Sequence, residues 1–476
     1  MSDTPSNGLS TADCVERRAT TKGNSQKSAG EATQCVFAPL FGLERVRQAA
    51  KKDKKQRFTA LLHHLDLELL GRAYQKLNKE AATGVDDVTW ESYGENLEEN
   101  LEGLHERVHK GRYRAKPSKR IWIPKSDGKQ RPIGIASLED KIVQQGLIWI
   151  LEVIYEEDFK GFSYGFRPAR NQHMALDAVY VAITQRKVSW VLDADIRGFF
   201  DNINHNWLMR FLEHRVGDKR VLRLVKKFLR AGVSEDGQWS MSKSGTPQGA
   251  VISPLLANIY LHYALDLWVN HWRKTKARGE VIIIRYADDF IMGFQYRDDA
   301  ESMLRALKER MAKFNLELHE DKTRLIEFGR FAMEDCRKRK KGKPESFDFL
   351  GFTHRCAKRR SDGHFTVRRE TIKKRLKAKL DAIKIELRRR MHHKVAKTGQ
   401  WLRSVINGYL NYYSVPGNQP ALTTFRSEIC KAWVKTLRRR SQAGASKKWA
   451  RYSKLIRTWI PSVIVRHPYP NQRLIV

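Results

Sequence analysis

Cysteine is scarce in this chain: Cys14, Cys35, Cys336, Cys356 and Cys430 are the only five in 476 residues, and no two form a CxxC pair. An odd number at such spacings makes neither a disulfide framework nor a structural zinc site, and it suits a reducing compartment. Long apolar runs are missing too. The greasiest stretches, Val281–Ile284 and Val251–Leu256, are short and broken by polar groups, whereas a membrane span needs about 18 apolar residues. The start, Met1-Ser2-Asp3-Thr4, has no basic segment leading into an apolar one, which argues against a secretory signal. No repeat of 20–50 residues shows itself. Acidic residues are few beside basic ones, 53 against 90, which leaves a net charge of +37. That excess points to a polyanion, either nucleic acid or an anionic membrane surface. With 41% hydrophobic and 10% aromatic residues the chain is no disordered basic tail. A folded nucleic-acid-binding protein is left standing.

Residues 1–50 are rich in Ser, Thr, Gly, Gln and Ala and read as a flexible leader, whose limit is set at residue 55. Helical patterns begin near Leu61, and Glu95–His109 is a second helix, with Leu97, Leu101, Leu104 and Val108 three and four apart. Arg120–Pro124 and Arg131–Ile135 read as strands flanking the turn Ser126-Asp127-Gly128. A helix is expected over about Leu138–Tyr155, another from Ala175, and a third over Asp299–Phe314. Trp190–Ile196 and Val281–Tyr286 read as apolar strands that end in aspartates. Phe347–Phe352 is strand-like. Residues 361–476 hold 27 Lys/Arg and 5 Asp/Glu, so a quarter of the chain carries +22 of the +37.

The chemistry concentrates in Ile284-Arg285-Tyr286-Ala287-Asp288-Asp289-Phe290, which reads as a hairpin with two carboxylates at its tip. A bare Asp-Asp pair is usually a solvated turn. Here Val191-Leu192-Asp193-Ala194-Asp195-Ile196 is a second acidic strand end. Two strands that bring carboxylates to one point supply the oxygen ligands of a two-metal phosphoryl-transfer site.

These residues also carry a family resemblance. Tyr286-Ala287-Asp288-Asp289 resembles the YADD box of reverse transcriptases. Asp195-Ile196-Arg197-Gly198-Phe199-Phe200-Asp201 resembles their first carboxylate motif, and Gly245-Thr246-Pro247-Gln248-Gly249 their dNTP/template motif. The latter is no P-loop, since no GK[ST] follows. Order and spacing resemble the bacterial group II intron-encoded reverse transcriptase/maturases over residues 56–476.

The resemblance implies an α+β right-hand polymerase, with fingers and an antiparallel palm sheet, followed by an α-helical thumb. The expected domains are a leader (1–55), a helical N-terminal extension (56–118), fingers and palm (119–355) and a basic thumb/maturase domain (356–476). It makes Asp195, Asp288 and Asp289 the catalytic and metal-binding set for two Mg²⁺ ions, with Asp193 the competitor of Asp195 and Asp201 a structural acid. Phe200, five residues after Asp195, would block a ribose 2′-OH. Arg131 would grip the triphosphate with help from Lys125. A planar guanidinium suits phosphate oxygens. Pro247 and Gln248 would lie beneath the incoming base, and Lys322 near the dNTP.

Arg167 and Arg170, in Ser163–Arg170, would touch the template backbone. There Ala169 replaces the glycine usual in the family, so a departure in the loop backbone is expected. Phe349 and Gly351 would belong to a hairpin that grips the primer. Arg388, Arg389, Arg390, Arg438, Arg439 and Arg440 would face structured RNA. The text stops six residues after His467-Pro468-Tyr469-Pro470 with no cysteine pair, so the zinc-associated H-N-H endonuclease of many relatives is not expected. The implied partners are dNTPs, RNA template, DNA primer or target, and group II intron RNA, with no membrane, in the cytoplasm of a bacterium. The implied function is RNA-directed DNA synthesis, with splicing assistance and intron mobility by target-primed reverse transcription. A free-standing reverse transcriptase for defence or repair is the alternative.

Overall fold

The computed structural model describes residues 41–124, 130–235, 237–240, 244–359, 361–440 and 449–473. An N-terminal helical layer comes first, with α1 (Phe41–Lys52), α2 (Leu67–Lys76) and α3 (Leu97–His109). Each buries one stripe spaced by three and four, such as Leu101, Leu104 and Val108 in α3. The helix α1 corrects the expected leader, because residues 41–52 are not loose chain. Leu43, Val46 and Ala50 are buried against α4 (Leu138–Asp158), and Arg47 pairs with Glu157 at 2.9 Å.

The strands β1 (Ser118–Pro124) and β2 (Gln130–Ile135) precede α4, and α5 (Gln172–Gln185) follows it. Then β3 (Trp190–Asp195) leads to α6 (His205–Glu213), α7 (Lys219–Arg230) and the short hairpin of β4 (Val233–Glu235) and β5 (Gln238–Ser240). The helices α8 (Ser253–Leu261) and α9 (Leu267–Thr275) are joined by a π turn, His262–Asp266. The central unit closes with β6 (Val281–Tyr286), β7 (Asp289–Phe294), α10 (Arg297–Lys313) and β8 (Arg324–Glu327).

A four-stranded sheet in the order β6-β7-β3-β8 is antiparallel at every pairing. Its strands read as unbroken apolar runs because both faces are covered. Ile283, Phe290, Met292 and Leu192 face the helical layer, and Ile282, Ile284, Ile291 and Val191 face the core shared with α5. A sheet with one wet face would alternate apolar and polar instead. A second sheet has the order β2-β1-β4-β5.

A third sheet joins β9 (Phe347–Phe349), β10 (Phe352–Lys358) and β11 (Phe365–Thr371). The expected boundary at residue 355/356 falls inside β10 and is corrected. The ladder from Phe352 opposite Thr371 to Lys358 opposite Phe365 makes 352–371 one piece, and the helical unit begins at Lys373. Its helices are α11 (Lys373–Arg389), α12 (Val395–Tyr413), α13 (Gln419–Arg438) and α14 (Trp449–Trp459). They share a separate core that includes Leu402, Ile406, Phe425, Ile429 and Trp433. The architecture is the expected one, an α+β body followed by a helical domain. No described helix is long and apolar enough to cross a membrane.

Candidate active site

Three carboxylates meet because of strand register. Asp195 ends β3 directly opposite Asp289, which begins β7, and Tyr286 at the end of β6 also faces Asp289. Only Ala287 and Asp288 are left to turn the hairpin. Ala287 sits in the left-handed region at φ +57°, which costs a residue with a Cβ about 1 kcal/mol. A Cβ on Gly165 would overlap the Ala287 amide, so glycine lets the loop of residues 163–170 lie flat against this turn.

The turn is anchored by Arg285, which has no exposed surface. Its Nε and one terminal nitrogen reach both oxygens of Asp266 at 2.8 and 2.6 Å. The remaining donors go to Asn258 Oδ1 (3.1 Å), the Ala287 carbonyl (3.0 Å) and Ser163 Oγ (2.7 Å). All five guanidinium donors are satisfied, as a buried arginine requires. Asp266 comes from the π turn, a feature that often marks functional positions.

Partial burial of Asp289, then the negative charges of Asp288 and Asp195, raise its carboxyl well above the ordinary range. Burial first, then the charge of Asp195, also raises Asp288, while Arg131 and Lys322 pull it back. The Lys322 Nζ lies 2.5 Å from Asp195 Oδ2, a contact that raises the lysine's own pKa. Asp195, Asp289 and Lys322 line an open cleft of about 410 Å³. Asp193 lines the same cleft but pairs with Arg324 at 3.6 Å; burial pushes it up to about 6. Asp348, Phe349, Gly351 and Arg375 line the same cleft. Arg285, Asp266, Arg324 and Arg375 escaped the sequence reading. Only the approach of Arg285 to the YADD-like text gave a local hint.

At β2, Arg131 Nε donates to Gln248 Oε1 at 2.8 Å, and Gln248 Nε2 reaches Asp201 at 3.3 Å. Asp201 thus positions the glutamine. Gly249, at φ +112°, could not carry a Cβ, which would stand 2.7 Å from the Gly134 carbonyl of β2. Pro247 and Gln248 are half-buried in this loop, strapped to the preceding turn by Thr246 N donating to the Phe200 carbonyl at 2.8 Å. The Phe200 ring is half-buried, edge-on to Phe199. Lys125 lies outside the described residues.

Several residues expected to contact nucleic acid have partners within the protein. Arg167 is buried, bonded to both oxygens of Glu156 and to the Lys160 and Ser163 carbonyls, so it shapes the loop from inside. Arg170 donates to the Gly161 carbonyl and lies over the Tyr164 ring, half-exposed. Ala169 keeps the left-handed backbone that a glycine would favour, at φ +57°. The ring of Phe349 is buried in a core cluster, and the tip of its hairpin is Leu350-Gly351, tied to the helical unit by Tyr412 Oη at 2.8 Å.

The two arginine triplets do not form one surface. Arg388 and Arg439 come together with Lys384, Lys431 and Lys435 in a groove of about 640 Å³. Arg389 and Arg390 share Glu386, Arg390 also covers Trp401, and Arg438 lies over Tyr452. Arg440 is half-exposed.

Residues 123–354 match the family described as reverse transcriptase (RNA-dependent DNA polymerase). The Escherichia coli K12 protein YkfC is 33% identical over 277 residues, which span 51% of this chain and 71% of YkfC. The chain belongs to the reverse transcriptase family. The group II intron-encoded protein LtrA of Lactococcus lactis is 38% identical over 232 residues, 48% of this chain and 38% of LtrA. The Arabidopsis thaliana nuclear intron maturase 1 is 29% identical over 92 residues, 19% of this chain and 13% of that protein. The chain is thus an RNA-directed DNA polymerase by family, and it spans under two-fifths of the group II intron-encoded LtrA to which it is similar.

Reverse transcriptases generally use divalent metal ions. Among the described residues no three carboxylate, imidazole or thiolate groups converge tightly enough to cage an ion as they stand. The donor set of this reverse transcriptase still suits a hard cation. Asp195, Asp288 and Asp289 offer only oxygen, and burial, then their mutual repulsion, raises two of the three carboxyls. An ammonium is already drawn to the third.

Proposed function

We propose that this reverse transcriptase extends a DNA primer on an RNA template at Asp195, Asp288 and Asp289, holding two Mg²⁺ ions there. We propose further that it binds a group II intron RNA, assists its splicing and supports mobility by target-primed reverse transcription. The observation that carries the first part is the register pairing Asp195 with Asp289 beside Asp288, on the wall of an open cleft. In the reaction the primer 3′-oxygen attacks the dNTP α-phosphorus and pyrophosphate leaves. Divalent ions bound by the three aspartates would lower the pKa of the attacking hydroxyl and stabilise the charge on the leaving oxygen.

The remaining roles belong to the chain's own side chains. Arg131 and Lys322 are both close enough to act on Asp288 and suit the triphosphate. Gln248, held by Asp201, and Pro247 support the incoming base. Phe200 excludes a 2′-hydroxyl. The Leu350-Gly351 turn with Arg375 suits the primer backbone, and the groove with Arg388 and Arg439 suits nucleic-acid phosphates. The splicing role is supported by the likeness to LtrA and the plant intron maturase, and the bacterial sources of YkfC and LtrA support a bacterial cytoplasmic location.

One paired experiment tests both parts. Primer extension and splicing of the RNA that flanks the gene are measured on wild type and on Asp288→Asn/Asp289→Asn. The variant should lose extension by several orders of magnitude and still promote splicing, since splicing chemistry belongs to the RNA. Splicing lost together with extension, in folded RNA-bound protein, would contradict the two-function reading. Wild type that never promotes splicing would favour a free-standing enzyme.

A further inference from the structure

Helix α7 spends half of its 12 residues on cations: Lys219, Arg220, Arg223, Lys226, Lys227 and Arg230, with no acid. Its packing does not need them. Val221, Leu222, Leu224, Val225, Phe228 and Leu229 form a separate stripe that is buried. Lys219, Arg223, Lys226 and Arg230 are exposed and recur at steps of four, three and four, which places them on one face about 18 Å long. Arg220 turns to Asp218 at 3.2 Å, whereas those four form no ion pair among the described residues.

A second segment widens the face. Lys227 Nζ donates to the Gly111 carbonyl at 3.1 Å, which brings the exposed Arg112 and Arg114 beside α7. A Cβ on Gly111 would stand 3.7 Å from an Arg223 terminal nitrogen. Burial, then the charges of Arg223 and Arg114, lower the pKa of Lys227, as expected inside a cluster of like charge. None of these residues lines the polymerase cleft.

We propose that α7 and residues 110–114 form a docking face for the phosphate backbone of double-helical RNA, apart from the cleft. The proposal rests on the RNA-partner reading above and names the surface and the RNA form. Charge complementarity selects a polyanion. A membrane is disfavoured because a helix that binds lipid turns its apolar stripe to the bilayer, and that of α7 is buried in protein. Single strands are disfavoured because they are gripped by exposed aromatic rings. The aromatic rings of α7 and of residues 110–114, Phe228 and Tyr113, are buried, and the exposed ring of Trp239 stands only at the end of the helix, donating to the Ala231 carbonyl at 3.1 Å. A duplex, recognised by shape and phosphates, needs only cations in a row.

The test uses full-length protein with Lys219, Arg223, Lys226 and Arg230 all changed to Gln. These side chains are exposed, so the unfolding midpoint should not move. The probe is a hairpin RNA with a stem of about 16 base pairs and no primer site. Wild-type affinity should fall steeply with salt, and in the variant the log–log slope should flatten by about 3, since each lost phosphate contact removes roughly 0.7–0.9. Affinity for an unpaired oligonucleotide of equal length, and primer extension, should stay within about twofold.

An unchanged hairpin slope in folded variant would overturn the proposal, and so would an equal loss on the unpaired oligonucleotide. Binding of wild type to phosphatidylserine vesicles that the variant loses, with hairpin binding intact, would overturn it in favour of a membrane. Failure of wild type to extend any primer would instead sink the polymerase reading.

Discussion

Replacing Arg285 by Met should destabilise the protein by about 3–5 kcal/mol, the cost of removing one partner from a buried ion pair. Asp266 has no exposed surface, so its carboxylate would lose two charged hydrogen bonds with no water to replace them. Asn258, Ser163 and the Ala287 carbonyl would each lose a donor as well. Against a typical total of about 5–15 kcal/mol the protein should remain folded in the cold. Activity should fall further than stability explains. The Ala287 turn, strained at φ +57°, loses a tether, and Asp288 moves with it. A displacement of about 1 Å at reacting groups can cost about a hundredfold in rate. Urea unfolding and single-nucleotide incorporation on folded protein measure the two effects separately. The double variant Arg285→Met/Asp266→Leu, which removes both charges, should recover most of the stability and little of the rate. A loss under about 1 kcal/mol for Arg285→Met, with incorporation within twofold of wild type, would refute the reasoning.

Other perturbations give smaller, independent readouts. Phe200→Ala should raise ribonucleotide over deoxynucleotide incorporation while dNTP use stays largely intact; an unchanged ratio would move the steric gate to another residue. Ala169→Gly should stabilise by about 1 kcal/mol in urea unfolding, because glycine takes the left-handed backbone without Cβ strain. His173 donates Nε2–H to the Tyr412 carbonyl at 2.8 Å and stacks on His467, and burial lowers it to about 4. A depressed histidine adds no penalty above pH 6.5 and costs stability as pH falls towards its folded value. The contact of α5 with α12 should therefore weaken between pH 7 and 5 by on the order of 2 kcal/mol. In His173→Gln that loss, followed by the unfolding midpoint, should shrink.

What the sequence made legible was local. Apolar runs that end at Asp195 and just before Asp288 announced two strands that deliver carboxylates, and the register then did the rest. The features that escaped are those that depend on partners distant in the chain. Arg167 looks like a surface arginine in a glycine-rich loop, and only the fold reveals that Glu156 and two carbonyls consume its donors. Arg285 meets Asp266 across 19 residues and a π turn, a pairing with no periodic signature. Leu43, Val46 and Ala50 do carry a helical period, but the Ser- and Gly-rich text before them overshadowed it. The boundary near 355 followed the rise in charge, whereas the ladder of β10 with β11 follows backbone pairing and ignores charge.

The central proposal is that Asp195, Asp288 and Asp289 act together as the metal-binding set for polymerisation. The most direct test is single-turnover incorporation of one dNTP on an RNA template with Mg²⁺, by wild type and by Asp195→Asn, Asp288→Asn and Asp289→Asn. Asp193→Asn serves as the neighbouring control, since Asp193 is turned to Arg324. Each of Asp195→Asn and Asp288→Asn should cut the rate by at least about a thousandfold, Asp289→Asn by less, and Asp193→Asn by under tenfold. Wild-type-like rates for Asp195→Asn or Asp288→Asn, in protein that unfolds normally, would contradict the account.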